Sequence, residues 1–379
     1  MRIAVNTRLL LKDKLEGIGW FSYESLKRIV SVHPEHEFIF IFDRKYDTDF
    51  IFADNIIPVV AGPPARHPVL WWFWLECVIP SVLKKYKADL FVSPDGFLSL
   101  RSKVPSLSVI HDINFEHHPE QLPWMVRKFY RWHFLRAAKK ACRVGTVSEY
   151  SKQDIASVYH VNADKIDVYY NGANSLYQPA SPGKKATVRN EISNGSPYFI
   201  FVGALNPRKN IPGLLKAFDK FKMNDQKRVK LVIVGDTMHQ TRLIKESIEE
   251  MQHNTDVIFT GRMPVEKLSG VMGAAHALIF VPFFEGFGIP VLEAMNVEIP
   301  MVCSNRTSLP EVAGDAALMV DPENTGEIAS AMQKIVDDDN LCQELVKRGR
   351  KQRMKFSLDR TAEKFWLSIE KCMNDINCK

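Results

Sequence analysis

The sequence predicts an α/β fold made of two units, each a parallel sheet covered by helices. Three observations lead there. Short, largely apolar stretches that read as strands recur at residues 3–5, 38–42, 88–92, 106–110, 143–148 and 166–170, and again at 198–202, 229–235, 257–261, 277–281, 300–303 and 316–320. Runs that are apolar throughout, rather than alternating, are the pattern of strands buried on both faces, and helical stretches separate them, as parallel sheets require. A chain of 379 residues also exceeds what one core ordinarily organises. Finally, residues 173–196 are rich in Ser, Pro, Gly, Asn and Lys and divide the two series. They read as a linker. The predicted boundaries are 1–172, a linker over 173–196, 197–355, and a closing helical segment over 356–379.

Charged residues make up 25% and hydrophobic ones 46%, which excludes a disordered chain. The formal net charge of +6 suits anionic partners such as nucleotides or phospholipid surfaces. Six cysteines are scattered without a C-x-x-C pair, so neither a zinc pattern nor a disulfide framework is implied, and thiols in a reducing compartment are expected. The N-terminus runs directly into a strand, with no charged-then-apolar leader. No apolar run reaches the ~18 residues of a spanning helix. A cytoplasmic location is therefore expected.

The most informative stretch is 277–293. An apolar strand leads into a turn holding Glu285, Gly286, Phe287 and Gly288, then Pro290 at a helix start and Glu293 within that helix. Backbone N–H groups at a helix start carry partial positive charge, and glycines let a ligand approach them closely, so the turn suits a phosphate. Two carboxylates at the same place need other partners. Sugar and ribose hydroxyls fit, because an ionised carboxylate accepts two hydrogen bonds from a diol. A nucleotide sugar, with phosphates in the middle and sugars at both ends, satisfies all of these groups. A plain glycine turn with solvated glutamates is the alternative.

Other candidates fall at predicted strand ends, where ligands bind in parallel sheets. Gly17 and Gly19 lie in the loop over 6–19, just before a helix expected near 20–30. His111, followed by Asp112, ends the strand at 106–110. Gly203 ends the strand at 198–202 and leads to Arg208 and Lys209, which could neutralise a departing diphosphate.

Two segments suggest a surface role. Trp71, Trp72 and Trp74 fall in a probable helix over 69–85 and cannot all face one core. Residues 121–148 hold seven Lys and Arg interleaved with aromatics, and most of this stretch should be one basic helix suited to an anionic membrane surface. A solvated basic face over an aromatic core face is the alternative. No nucleic-acid module is recognisable, so no nucleic-acid partner is expected. A metal site would need His111, Asp112 and His117, or the Asp47–Asp49 triplet, and neither spacing is persuasive. No metal and no cofactor are expected.

The pattern Glu285, seven residues, Glu293, with Gly-Phe-Gly-Ile-Pro between, resembles the E-x7-E motif of retaining glycosyltransferases with two Rossmann-like domains, and more narrowly glycosyltransferase family 4, the group 1 transferases. The resemblance covers nearly the whole chain. It implies a GT-B fold, in which two Rossmann-like domains present parallel sheets to a central cleft, with a last helix crossing back to the first domain. It further implies that Glu285 sits by the donor sugar and Glu293 on the nucleotide ribose. Arg208 and Lys209 would bind phosphate, His111 would reach the donor sugar, and Gly17 and Gly19 would face the donor phosphates and the acceptor. Catalytic roles are expected for His111 and Glu285, and binding roles for Gly17, Gly19, Gly203, Arg208, Lys209, Gly286, Phe287, Gly288 and Glu293. The expected activity is metal-independent transfer of a sugar, mannose by resemblance, from a nucleoside-diphosphate sugar to a saccharide or lipid-linked saccharide in surface-polysaccharide synthesis. The enzyme would work at the inner face of the cytoplasmic membrane. The rival readings are a metal-dependent hydrolase or transferase and a non-catalytic nucleotide-sugar-binding protein.

Overall fold

The computed structural model describes residues 1–12, 15, 17–236 and 241–377. It contains two sheets, both wholly parallel. The first has strands β1 (Arg2–Asn6), β2 (Glu37–Phe42), β3 (Ile56–Val60), β4 (Leu90–Ser93), β5 (Ser106–Val109), β6 (Arg143–Thr146) and β7 (Ile166–Val168), in the order β3-β2-β1-β4-β5-β6-β7. The second has β8 (Tyr198–Val202), β9 (Lys230–Val234), β10 (Val257–Gly261), β11 (Ala277–Phe280), β12 (Met301–Ser304) and β13 (Leu318–Val320), in the order β10-β9-β8-β11-β12-β13.

In each sheet the strand order reverses once: between β1 and β4 in the first, and between β8 and β11 in the second. At such a switch point neighbouring strands send their following helices to opposite faces, leaving a crevice at the carboxyl ends. The apolar runs are buried as their composition requires. Every residue of β8 and β11 is buried, and Phe38 to Ile41 on β2 are fully covered. Strand β3 escaped the sequence reading because Pro58 interrupts it. It lies at the sheet edge, where a proline costs no ladder hydrogen bond.

The chain divides into two compact units, Met1–Asn171 with Ser357–Lys379, and Gly172–Phe356. Residues 173–196, read from composition as a linker, carry a helix, Pro182–Ser193. Ser181 caps it by accepting from Lys184 N, and Asn194 ends it in the left-handed conformation. It packs on the helix Val265–Ala274 of the second unit, where Gly273 leaves room for Ala180. The closing helix Leu358–Asn377 belongs to the first unit. There Trp366 stacks on His33 at 3.6 Å, Thr361 donates to the Tyr170 carbonyl, and Ser368 donates to Asp167 at 2.8 Å.

The helix after β1 starts at Gly17 and runs to Val32, three residues earlier than the sequence suggests. Gly17 and Gly19 therefore lie in its first turn and not in the preceding loop. Gly19 is buried, and a Cβ there would stand 3.0 Å from the Leu9 carbonyl oxygen, so close packing of loop on helix explains a residue that propensity alone disfavours.

Candidate functional site

In the second unit the loops after β8 and β11 meet because those strands are neighbours at the switch point. Asn210, in the left-handed conformation, begins the helix Ile211–Lys222. Its side-chain amide donates to Val281 O at 3.1 Å and Pro322 O at 2.7 Å. Phe283 N donates to Arg208 O at 2.8 Å. These bonds fix one loop against the other before any charge is considered.

The charged side chains then converge. The Lys209 ammonium donates to Glu285 Oε1 and lies over the Phe280 ring at 4.9 Å. Arg208 Nη1 is 3.1 Å from the same oxygen and donates to Phe284 O at 3.2 Å. Lys209 and Glu285 are buried, whereas Arg208 keeps a quarter of its side chain exposed. Burial by itself would raise the Glu285 carboxyl, but Arg208 and Lys209 outweigh it and hold the group below its ordinary value. Glu285 is thus an ionised carboxylate in a buried site. Its backbone is held as well: its N–H donates to Thr307 Oγ1 at 3.2 Å, and Ser308 Oγ donates to its carbonyl at 2.9 Å. Gly203, at φ +150°, lies against the Lys209 side chain.

Gly288 caps the helix Ile289–Val297 at φ +94°, with Pro290 in its first turn. Gly286 is buried, and the Phe287 ring packs edge-on against Phe356 at 5.6 Å, so Phe287 fills the interior. Glu293 receives a hydrogen bond from the Tyr177 hydroxyl, and burial pushes its carboxyl up to about 7. The two glutamates differ because Glu285 has two cations beside it and Glu293 has a phenol.

In the first unit, His111 follows β5. Its Nε2–H donates to Pro94 O at 2.9 Å, which fixes the tautomer and leaves Nδ1 as the acceptor. Phe21 packs edge-on to its ring at 4.8 Å, and burial lowers its pKa, so the neutral imidazole is favoured. Gly17 is exposed, and among the described residues nothing stands within 4 Å of where its Cβ would be.

Neither metal alternative gathers a ligand set. His117 Nε2 lies 2.8 Å from Asp154 Oδ1, and Asp47 and Asp49 share Lys12 at 2.8 and 3.3 Å. Among the described residues no three His, Cys, Asp or Glu side chains stand close enough to hold a metal ion.

Sequence reasoning missed Tyr177, Thr307 and Ser308. Thr307 and Ser308 carry no local sign of chemistry, and their hydrogen bonds to Glu285 give them a role. Tyr177 lies within the stretch read as a linker, and its contact with Glu293 distinguishes it.

Comparison with known proteins gives a consistent result. The pattern described as "Glycosyl transferases group 1" matches residues 184–352, and that of "Glycosyltransferase Family 4" matches residues 33–175. The chain is 30% identical to the "O-antigen chain mannosyltransferase B" of Escherichia coli, over 92% of this chain and 94% of the relative. It is 26% identical to the "O-antigen chain mannosyltransferase RfbU" of Salmonella typhimurium, over 84% of this chain and 87% of the relative. Among solved structures, the Anabaena protein Alr3699/HepE, crystallised with UDP and glucose, superimposes with a TM-score of 0.76 at 16% identity, covering 98% of this chain and 99% of its own. This likeness shows the fold.

Proposed function

We infer the reaction from one premise, that this chain belongs to glycosyltransferase family 4, the group 1 glycosyltransferases. It is a GT-B glycosyltransferase of surface-polysaccharide synthesis. The donor is a nucleoside-diphosphate sugar, and mannose is the sugar that the two mannosyltransferase relatives support. The acceptor is a saccharide or lipid-linked saccharide bound by the first unit.

Transfer proceeds with retention. The acceptor hydroxyl oxygen bonds to the anomeric carbon on the face from which the diphosphate oxygen leaves. That oxygen departs with the bonding electron pair, and a phosphate oxygen takes the hydroxyl proton. Arg208, Lys209 and the N–H groups at the helix start after Gly288 stabilise the charge that develops on the diphosphate. Glu285 and His111 orient the donor sugar, Glu293 holds the ribose, and Gly17 lets the substrate approach the backbone, while Gly19 serves the packing of the loop on the helix. The positive charge comes from side chains, so the reaction runs without a metal.

The observation that carries this reading is the buried cluster of Arg208, Lys209 and Glu285. Two cations against one carboxylate leave a net positive charge at the switch point, matched to an anionic leaving group. Arg208→Ala should lower kcat by ~10²–10³, the range for losing one preorganised donor to a developing anion, with a smaller change in the donor KM. Wild-type kcat in this variant, or loss of wild-type activity in a strong chelator with recovery on adding a divalent cation, would reject the assignment.

The same reading has the enzyme working in the cytoplasm, on the membrane. Trp71 joins the helices Pro68–Phe73 and Trp124–Lys140 by packing on Phe129 and Tyr130 at 5.7 and 5.6 Å. Val69, Trp72, Phe73, Trp124, Met125 and Trp132 remain exposed, with Lys128 over Trp124 at 4.3 Å and Arg136 over Trp132 at 4.8 Å. Apolar rings interleaved with cations suit the headgroup layer of an anionic bilayer. No helix among the described residues is long and apolar enough to cross a membrane.

A further inference from the structure

The first sheet has its own switch point, between β1 and β4, and a polar cluster is buried there that the reaction above does not use. Asp95, two residues past β4, accepts four hydrogen bonds. Asn6 Nδ2 and Ser93 Oγ reach its Oδ1 at 2.8 Å each, the Phe97 N–H reaches the same oxygen at 3.2 Å, and Arg8 Nε reaches Oδ2 at 2.5 Å. Asp95 is therefore held at both oxygens. Arg8 is held on its other sides as well. Its guanidinium lies over the Phe97 ring at 4.5 Å, and its backbone N–H donates to Asn6 Oδ1 at 3.3 Å.

The side chain of Arg8 is about nine-tenths buried. A guanidinium has five N–H donors, and among the described residues only the one on Nε is used. Among the described residues nothing accepts from the two terminal nitrogens, yet neither is sealed from solvent. A nearly buried fork whose plane is fixed by Asp95 and Phe97, with its outer donors turned to solvent, is pre-organised for a ligand, because little side-chain freedom is left to lose on binding.

Its position names the ligand. His111 bonds the Pro94 carbonyl within the turn that carries Ser93 and Asp95, so Arg8 and His111 hold opposite parts of one short turn at the carboxyl ends of β1, β4 and β5. Asp95 cancels the charge of Arg8. The histidine packed near this pair, His133, is pushed down to about 3 by burial and is neutral, and Tyr130 is kept protonated. A neutral surround with oriented N–H donors favours a hydroxyl pair over a phosphate, whose desolvation needs net positive charge.

We propose that Arg8 is an acceptor-binding residue whose two terminal nitrogens donate to adjacent hydroxyls of the acceptor's terminal sugar, with Asp95 and Phe97 fixing the guanidinium. The proposal rests on the glycosyltransferase reading. The test uses the full chain and methyl α-mannoside as probe. Arg8→Lys keeps the charge but loses the fork, and the double variant Arg8→Met, Asp95→Asn removes both charges without stranding either. Saturation-transfer NMR should show saccharide binding by the wild type and at least a tenfold loss in both variants. The affinity for nucleotide diphosphate should stay within twofold in each. In transfer assays the acceptor KM should rise tenfold or more while the donor KM and the slow hydrolysis of donor without acceptor stay unchanged.

Wild-type-like saccharide binding in both variants overturns the proposal, as does absence of saccharide binding by the wild type. Competition by inorganic phosphate overturns it in favour of an anion site, and a parallel rise in donor KM shows a general structural effect. Saccharide binding lost in the variants, in a wild type that transfers nothing, upholds Arg8 and rejects the catalytic reading, so the two failures are distinguishable.

Discussion

Glu293→Gln should make the protein more stable and a worse enzyme, and pH should separate the two effects. Burial moves the Glu293 carboxyl from its ordinary value of 4.5 up to about 7. Between those values the folded state holds a proton that the unfolded chain has released, so stability falls as pH rises through this window and levels off above about 7. At ~1.4 kcal/mol per pH unit the full effect is ~3 kcal/mol, and the partial exposure of the residue reduces it toward ~2 kcal/mol. Glutamine keeps an acceptor for the Tyr177 hydroxyl but carries no charge to desolvate. The variant should match the wild type near pH 4.5 and gain progressively to pH 7.5, where ~2 kcal/mol corresponds to ~4–8 °C in Tm for a unit of this size. Thermal unfolding at half-unit pH steps measures the difference. A constant offset between the curves would refute the reasoning, since an unperturbed glutamate cannot produce a difference that grows across this range. Over the same steps, donor affinity of the wild type should improve as Glu293 ionises, because a carboxylate accepts two ribose hydroxyls, and the variant should lose both the affinity and its pH dependence.

The other predictions concern separate features. Gly288→Ala forces a side chain into φ +94° and puts its Cβ 2.5 Å from Leu309 Cδ2, so it should destabilise the protein by ~1–3 kcal/mol in denaturant unfolding and lower activity by tilting the helix start. Thr307→Val removes the acceptor of the Glu285 N–H, and kcat should fall ~3- to 10-fold with little change in Tm, a loss of ~1 kcal/mol in positioning. Trp72→Ser with Trp124→Ser should abolish co-sedimentation with vesicles containing phosphatidylglycerol while leaving transfer to a water-soluble acceptor intact. Retained sedimentation would remove the exposed aromatic face from the account.

The alternation of strands and helices was legible because a strand covered on both faces must be apolar along its length, and each long run became one. β3 was hidden by Pro58, which a local reading treats as a breaker and an edge position tolerates. The residues of the second-unit site were legible for a different reason. Glycines, a helix start and charged side chains at strand ends are local features with a local chemistry, and Arg208, Lys209, Glu285 and Glu293 all announced themselves that way.

What the sequence alone determined, then, was the inventory: two parallel sheets, their helices, and which carboxylates and cations stand at strand ends. What only the tertiary structure decided was the pairing. β8 and β11 are far apart in the chain and adjacent in the sheet, so nothing local tells Lys209 that it will neutralise Glu285, or Tyr177 that it will meet Glu293. The same adjacency of β1 and β4 joins Arg8 to Asp95. A charge carries its meaning in its partner, and the partner is chosen by the strand order, which packing of the whole sheet sets.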